Sequence, residues 1–152
     1  MEVTIQELAE AKVAGLSWHS IDDCTPWNET YFRWTAMPLS VDFAQNNITC
    51  GMLTGWHHTP VFDVLEYHAD KELFYFISGT ALLLLCDIKN GVPDLKTAQM
   101  VRVPAGTELS IDAGKGHFVA VAEGERYDAI VIAPAQEAPR VALPEQIIGK
   151  RA

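Results

Sequence analysis

The sequence predicts an all-β domain, and the features that predict it lie in residues 61–135. This region contains a succession of short segments rich in β-branched, aromatic and leucine residues. Turn-forming residues separate the segments, and nothing between them has the apolar spacing of a helix. The strand candidates are VFDVLEYH, ELFYFI, TALLLLCDI, AQMVRVP, TELSID, HFVAVA and YDAIVIAP. Evenly spaced short strands of this kind are typical of a β-sandwich or a β-barrel.

Residues 1–60 are expected to begin with one short helix. Thr4 and Glu7 have the spacing of a capping box, and Gly15 follows where such a helix would end. From residue 17 onward this region holds all four tryptophans among prolines, asparagines and threonines, without a regular period. We expect it to supply short strands and loops that wrap the core, because aromatic side chains bury a large area without needing a regular element.

The segment TALLLLC is apolar at consecutive positions, so its strand is expected to be covered on both faces. Cys86, at its end, is expected to be a small buried side chain. Residues 136–152 form a predicted tail with a second short helix, between Pro144 in its first turn and Gly149 at its end. No repeat divides the chain, so residues 1–152 are expected to form one domain.

The charge balance and the apolar pattern exclude several classes of partner. The formal net charge is −9, from 20 acidic and 11 basic residues, so the field of the protein repels nucleic acid. No secretory signal is recognisable, and no window approaches the ~18 apolar residues of a membrane span. Three isolated cysteines cannot form a closed disulfide framework, so the expected location is the reducing cytoplasm.

The first group of chemically useful side chains lies on one predicted strand and just after it. Side chains alternate along a strand, so Glu66 and His68 project from one face while Tyr67 projects from the other. Glu72 shares the parity of Glu66 and His68, and Gly79 follows at a predicted turn. The three polar side chains are therefore expected to face the same interior.

A second block has its own regular spacing. Gly106 is followed after five residues by Asp112-Ala113-Gly114, and His117 comes two residues later. The two blocks resemble the two sequence motifs of the cupin superfamily, with their internal spacing kept. Glu66 stands where the first motif begins with His, and Asp112 replaces the Pro of the second motif. The resemblance implies a single cupin-type barrel of the RmlC-like jelly-roll kind.

Within that superfamily the chain resembles the ureidoglycolate lyase family. The resemblance covers residues 64–146 and includes the Glu-x-His pattern, the stretch Gly79–Val103 and the tail Leu143–Gln146. The chain also departs from the family. Tyr67 stands where an Arg is usual, the strand after Glu72 lacks a Pro, and Gly116-His117-Phe118-Val119 replaces Trp-His-x-Pro.

The motifs predict a metal centre built from Glu66, His68, Glu72 and His117. Two imidazoles and two carboxylates form a mixed nitrogen and oxygen site that suits Mn, Fe, Ni or Zn. Glu66 is either a ligand or a carboxylate beside the ligands. In the alternative interpretation, both histidines are hydrogen-bonded core residues and both carboxylates face a wet barrel mouth.

Four further residues are candidates for contact with a substrate. Lys115, in the predicted turn before the second-motif histidine, is placed to hold a substrate carboxylate unless it is merely solvated. Phe74 and Phe76 share the parity of the first-motif glutamate and either wall the cavity or only pack the barrel. Tyr67, at the position of the family's usual Arg, completes the set.

Three functions remain open at this point. The resemblance implies a carbon–nitrogen lyase that releases urea and glyoxylate from a small polar carboxylate, with Glu72 or His117 as the base and a divalent ion holding the substrate. Another small-molecule cupin enzyme, an isomerase or a dioxygenase, would use the same residues on a different acid or sugar. A non-catalytic ligand-binding barrel is the third. An exposed edge strand and an apolar outer face predict a homodimer.

Overall fold

A computed structural model describes all residues, 1–152, and its regular elements are strands apart from one 3-10 turn at Ile21–Asp23. In chain order the strands are β1 (Glu2–Glu7), β2 (Leu16–Ser20), β3 (Trp27–Asn28), β4 (Arg33–Trp34), β5 (Ile48–Trp56), β6 (Val61–Glu66), β7 (Glu72–Ser78), β8 (Thr80–Lys89), β9 (Val92–Pro104), β10 (Thr107–Ile111), β11 (Lys115–His117), β12 (Val121–Ala122), β13 (Arg126–Pro134) and β14 (Arg140–Lys150). The all-β prediction is confirmed. No helix is long and apolar enough to cross a membrane.

Two sheets contain twelve of the strands. The larger has the order β11-β6-β14-β1-β9-β8-β12, and β11 also pairs with β8, which closes a ring of six strands. The smaller has the order β2-β10-β7-β13-β5, while β3 and β4 form a separate hairpin. Closure of the ring removes the exposed edges that an open sheet would present there.

The apolar core forms two clusters, one on each face of β8. Leu83 and Leu85 belong to a cluster of 14 buried residues that joins the two sheets. Leu82, Leu84 and Cys86 belong to a cluster of 9 buried residues from strands of the larger sheet. The expectation that this strand is covered on both faces is therefore confirmed, and Cys86 is fully buried.

Tight turns that need positive φ values fix the strand connections. Asn90 and Gly91, with φ values of 52° and 75°, join β8 to β9 in the left-handed conformation that a two-residue hairpin turn requires. Gly79, with φ 72°, joins β7 to β8, and a side chain there would collide with the carbonyl group of Arg126. Gly106 (φ 81°) likewise joins β9 to β10. The positive φ values at these two turns therefore explain why Gly79 and Gly106 of the motif blocks are glycines.

The predicted N-terminal helix is wrong, because that segment is strand β1. It lies between β14 and β9 and runs parallel to both. Val3 and Ile5 pack against the second core cluster, so alternation along a strand explains their spacing. One turn follows the strand, in which Glu10 N donates to the carbonyl oxygen of Glu7.

The predicted C-terminal helix is also wrong, because strand β14 replaces it and pairs with β6 and β1. Its register with β6 shifts between Ala142 and Ile147, and this irregularity accommodates Pro144 within a sheet. A side chain at Gly149 would collide with Met100, so this glycine permits close packing rather than ending a helix. The predicted tail is thus an inner strand, and the core extends beyond residues 61–135.

Candidate functional site

The structure brings together the four residues of the predicted metal centre. Glu66 ends β6 and lies directly opposite His117 of β11, while His68 follows β6 and Glu72 begins β7 in the other sheet. The ligand atoms of Glu66, His68 and His117 all lie within 4.8 Å of one another. Oε2 of Glu72 lies 3.1 Å from Nε2 of His68 and 2.8 Å from Nε2 of His117. The cluster therefore joins the two sheets.

Backbone carbonyl groups fix the orientation of both imidazoles. Nδ1 of His68 lies 3.0 Å from the carbonyl oxygen of Glu137, and Nδ1 of His117 lies 3.0 Å from that of Lys115. A carbonyl oxygen only accepts hydrogen bonds, so each Nδ1 carries the hydrogen. Each Nε2 is then directed at the carboxylates and is free to bind a metal or a proton.

This arrangement needs a positive charge between the imidazoles. With Nδ1 protonated, a neutral imidazole presents a lone pair at Nε2, and both such lone pairs would face the carboxylate of Glu72. Either a second proton on an imidazole or a cation removes the repulsion. Nε2 of His68 is buried and makes no directed hydrogen bond, despite its 3.1 Å separation from Glu72. An unpaired buried nitrogen beside carboxylates fits a divalent cation.

The ionisation of the cluster follows from the same contacts. Burial alone would raise the pKa of Glu72, but the hydrogen bond from His117 and the charges of both imidazoles outweigh it and lower the pKa to about 2. Burial alone would lower the pKa of His68, but Glu72, the Glu137 carbonyl group and the Glu66 charge raise it above its ordinary value. Without a metal, the site therefore favours an ionised Glu72 beside a protonated imidazole.

A cavity of about 190 Å³ lies between the sheets, beside this cluster. Its three polar lining residues are Glu66, Glu72 and His117. The nine hydrophobic ones are Leu53, Phe74, Phe76, Leu83, Phe118, Val119, Ala120, Tyr127 and Val131. The volume equals that of about six water molecules in the liquid. It therefore suits a ligand of a few non-hydrogen atoms, with its polar groups at the cluster.

The four predicted substrate contacts divide into two pairs. Phe74 and Phe76 line the cavity, with their rings stacked at 6.0 Å. Lys115 lies in β11 rather than in the preceding turn, and it is buried, with Nζ 2.6 Å from Oδ1 of Asp87. Tyr67 lines a separate hollow, together with His68. Lys115 and Tyr67 thus lie outside the cavity wall.

Several residues of the cavity wall belong to neither motif and were not singled out from the sequence. Tyr127 is fully buried, its ring lies 5.9 Å from that of Phe76, and burial raises the pKa of its hydroxyl group to about 12. Tyr127 and Val131 share a parity along β13, so alternation in YDAIVIAP contained a signal for them. Leu53 of β5 reaches the cavity only through sheet pairing, for which the local sequence gives no signal.

Comparison with known proteins bears on the fold. No protein-family model matches the chain, and no curated protein matches it. Similar solved structures include a dTDP-6-deoxy-D-glucose-3,5-epimerase, RmlC, from Legionella pneumophila, with 12% identity and a TM-score of 0.51 over 84% of this chain and 69% of that one. RmlC from Streptococcus suis has 11% identity and a TM-score of 0.48 over 79% of this chain and 64% of that one.

An oxalate decarboxylase variant from Bacillus subtilis has 21% identity and a TM-score of 0.45 over 64% of this chain. The chain spans about a quarter of that decarboxylase, since 24% of it is covered. Among these three structures, the Legionella epimerase has a TM-score above 0.5, and it shares with this chain an RmlC-like arrangement of strands. Together with the closed six-strand ring, this likeness shows that the chain has the cupin fold.

Proposed function

We propose that this chain is a metal-dependent cupin enzyme that acts on a small carboxylate, and that its reaction is that of a ureidoglycolate lyase. The observation that carries the proposal is the buried Nε2 of His68, which lacks a hydrogen bond beside two carboxylates and a second imidazole. Groups with shifted pKa values at the edge of a small cavity are typical of active sites.

The donor atoms of Glu66, His68, Glu72 and His117 would hold a divalent ion such as Mn, Fe, Ni or Zn. Such an ion would supply Lewis-acid chemistry by lowering the pKa of the substrate's hydroxyl group. When His117 acts as the base, the other three side chains still provide the three protein ligands of an open catalytic site.

The contacts favour His117 over Glu72 as the base. A carboxylate whose pKa is about 2 has little affinity for a proton at neutral pH. Nε2 of His117 accepts the hydroxyl proton, and the carboxylate of Glu72, 2.8 Å away, stabilises the imidazolium. The electron pair of the O–H bond forms the aldehyde carbonyl group of glyoxylate. The carbon–nitrogen bond breaks, and its nitrogen takes the proton to leave as urea.

A second candidate function is favoured by the cavity wall. Nine of the twelve lining residues are hydrophobic, whereas ureidoglycolate is polar along its length. An apolar wall is better suited to a substrate that combines one polar end with a small apolar body. This observation favours another small-molecule cupin enzyme, an isomerase or a dioxygenase, acting on a different acid.

We also propose that the protein is a homodimer, because strand β5 is an unprotected edge of the smaller sheet. Its nine residues, Ile48–Trp56, include no charged residue and no proline. Met52 and Trp56 are 66% and 64% exposed, respectively. Edges of this kind pair with another strand unless charge or proline prevents it, and a second copy of the chain can cover this one.

The test combines elemental analysis with an assay of glyoxylate release from ureidoglycolate, using protein purified without chelator. We expect one equivalent of metal and turnover in the wild type, loss of both in His68→Ala, and neither loss in His58→Ala, a histidine on an exposed loop. Bound metal without turnover would favour the second candidate. Absence of both would refute the enzyme proposal and favour a ligand-binding barrel.

A further inference from the structure

Three side chains form a row across neighbouring strands of the larger sheet. Arg140 of β14 is the register partner of Glu66 on β6, and Glu66 is also the register partner of His117 on β11. Directly opposed residues of paired strands project from the same face of a sheet. Arg140 therefore lies beside the candidate metal centre, on the face that carries it.

The guanidinium group of Arg140 lies near two residues of the cavity wall, Glu66 and Phe118, and most of it is open to solvent. Its Nε lies 4.0 Å from Oε2 of Glu66, at the outer limit of an ion pair, and 66% of the side chain is exposed. Its Cζ lies 5.2 Å from the centre of the Phe118 ring, a cation–π contact that orients the group. Glu66 and Phe118 both line the cavity.

Arg140 is the one lysine or arginine that pairs with a cavity-lining carboxylate. The charged contacts of Glu66 are with His68 and Arg140, and those of Glu72 are with the two histidines. Lys115, expected from the sequence to hold a substrate carboxylate, is committed to Asp87. The carboxylates of Glu66 and Glu72 would repel an incoming carboxylate, and a cation beside them would offset that repulsion.

We propose that Arg140 binds the carboxylate of the substrate at the cavity rim, with the reacting carbon directed toward His117. The proposal rests on the proposed function in one respect, that the ligand is a small carboxylate. The planar guanidinium group has five N–H donors, and two of them match the two oxygens of a carboxylate. This places the anionic end of the ligand at the exposed end of the row and its remaining atoms in the cavity.

The experiment compares two ligands of nearly equal shape, glycolate and its uncharged amide, glycolamide, by isothermal titration of the protein as purified. The wild type should bind glycolate more tightly than glycolamide. Arg140→Gln should lower that preference by roughly tenfold to a hundredfold, because it removes a charge-assisted hydrogen bond. Arg140→Lys should retain part of it. Arg151→Gln, at an exposed arginine that pairs with Glu123, is the matched control.

Metal content separates direct binding from an effect through Glu66. In Arg140→Gln we expect an unchanged metal content together with the lost preference for glycolate, and a fall in both would show that Arg140 only positions Glu66. An unchanged preference, or no binding of glycolate to the wild type, would overturn the proposal. Glycolate binding that depends on Arg140 without turnover of ureidoglycolate would uphold it while refuting the lyase function.

Discussion

Replacing Glu72 by Gln in metal-free protein is expected to cost about 3 kcal/mol of stability at pH 5. The contacts of Glu72 lower its pKa from 4.5 to about 2, a difference of about 2.5 units, each worth 1.36 kcal/mol. A depressed pKa stabilises the folded state above the unfolded value of 4.5, and that stabilisation is lost as the pH falls through about 2. The raised pKa of His68 adds stability below its ordinary value of 6.5, which is lost at higher pH. Both groups are therefore charged at pH 5.

The assay is urea unfolding, followed by tryptophan fluorescence after chelation, at several pH values from 5 to 2. Wild type and Glu72→Gln should differ by about 3 kcal/mol at pH 5, and the difference should shrink toward zero near pH 2. Glu125→Gln, at an exposed glutamate, is the control and should show no such trend. A difference that stays constant across this range would refute the pairing of Glu72 with the imidazoles.

The remaining predictions concern packing, charge and assembly. Gly79→Ala should destabilise the fold by at least about 2 kcal/mol in urea unfolding, because Gly79 has a positive φ and an added side chain would collide with the Arg126 carbonyl group. Gly124→Ala is the control, since a side chain there would meet open space, and it should change stability by less than about 0.5 kcal/mol. Asp87→Asn should cost about 1–3 kcal/mol in the same assay, because it leaves the buried Lys115 without its carboxylate. Light scattering should show a dimer at micromolar concentration, and a monomer would count against the edge-strand argument. DNA should not be retarded in a gel at physiological salt, and a persistent shift would contradict the charge argument.

Local signals predicted the parts of the fold that depend on local geometry. The Asn90-Gly91 turn needs φ values that few residues adopt, so composition alone located it. The run from Ala81 to Cys86 is apolar at every position. In a short strand, such a run indicates that both faces are covered, and the two core clusters cover them here. In both cases the physical cause lies within a few residues, and the sequence contains it.

The two terminal segments show where local signals fail. Thr4 and Glu7 have helix-capping spacing, but Val3 and Ile5 gain more by packing in a sheet between strands that are distant in the sequence. Short helices are only marginally stable alone, so tertiary pairing decides such segments. Pro144 is tolerated because the β14 register shifts around it, and no local pattern announces that shift.

In the candidate site, too, local spacing predicted some residues and long-range strand pairing placed the others. Glu66, His68 and Glu72 could be grouped from the sequence by their shared parity and motif spacing, and the spacing of the second motif added His117. The structure brings the three together differently, since β6 ends at Glu66 and Glu72 begins β7 of the other sheet. The proximity of Arg140 to Glu66 arises from the pairing of β14 with β6, which the sequence did not predict because β14 resembled a helix.

The chemistry and the selectivity that we propose for this site therefore come from different parts of the chain. The motif residues define a charged cluster that many substrates could use, since a metal or proton between imidazoles and carboxylates does not distinguish one acid from another. The cavity wall comes from strands of both sheets, and its apolar character sets the shape and polarity that a ligand must have. The cation at the rim comes from β14. For the proposed metal enzyme, substitutions at Phe74 or Val131 should thus change which acid binds, whereas substitutions at His68 should remove the metal.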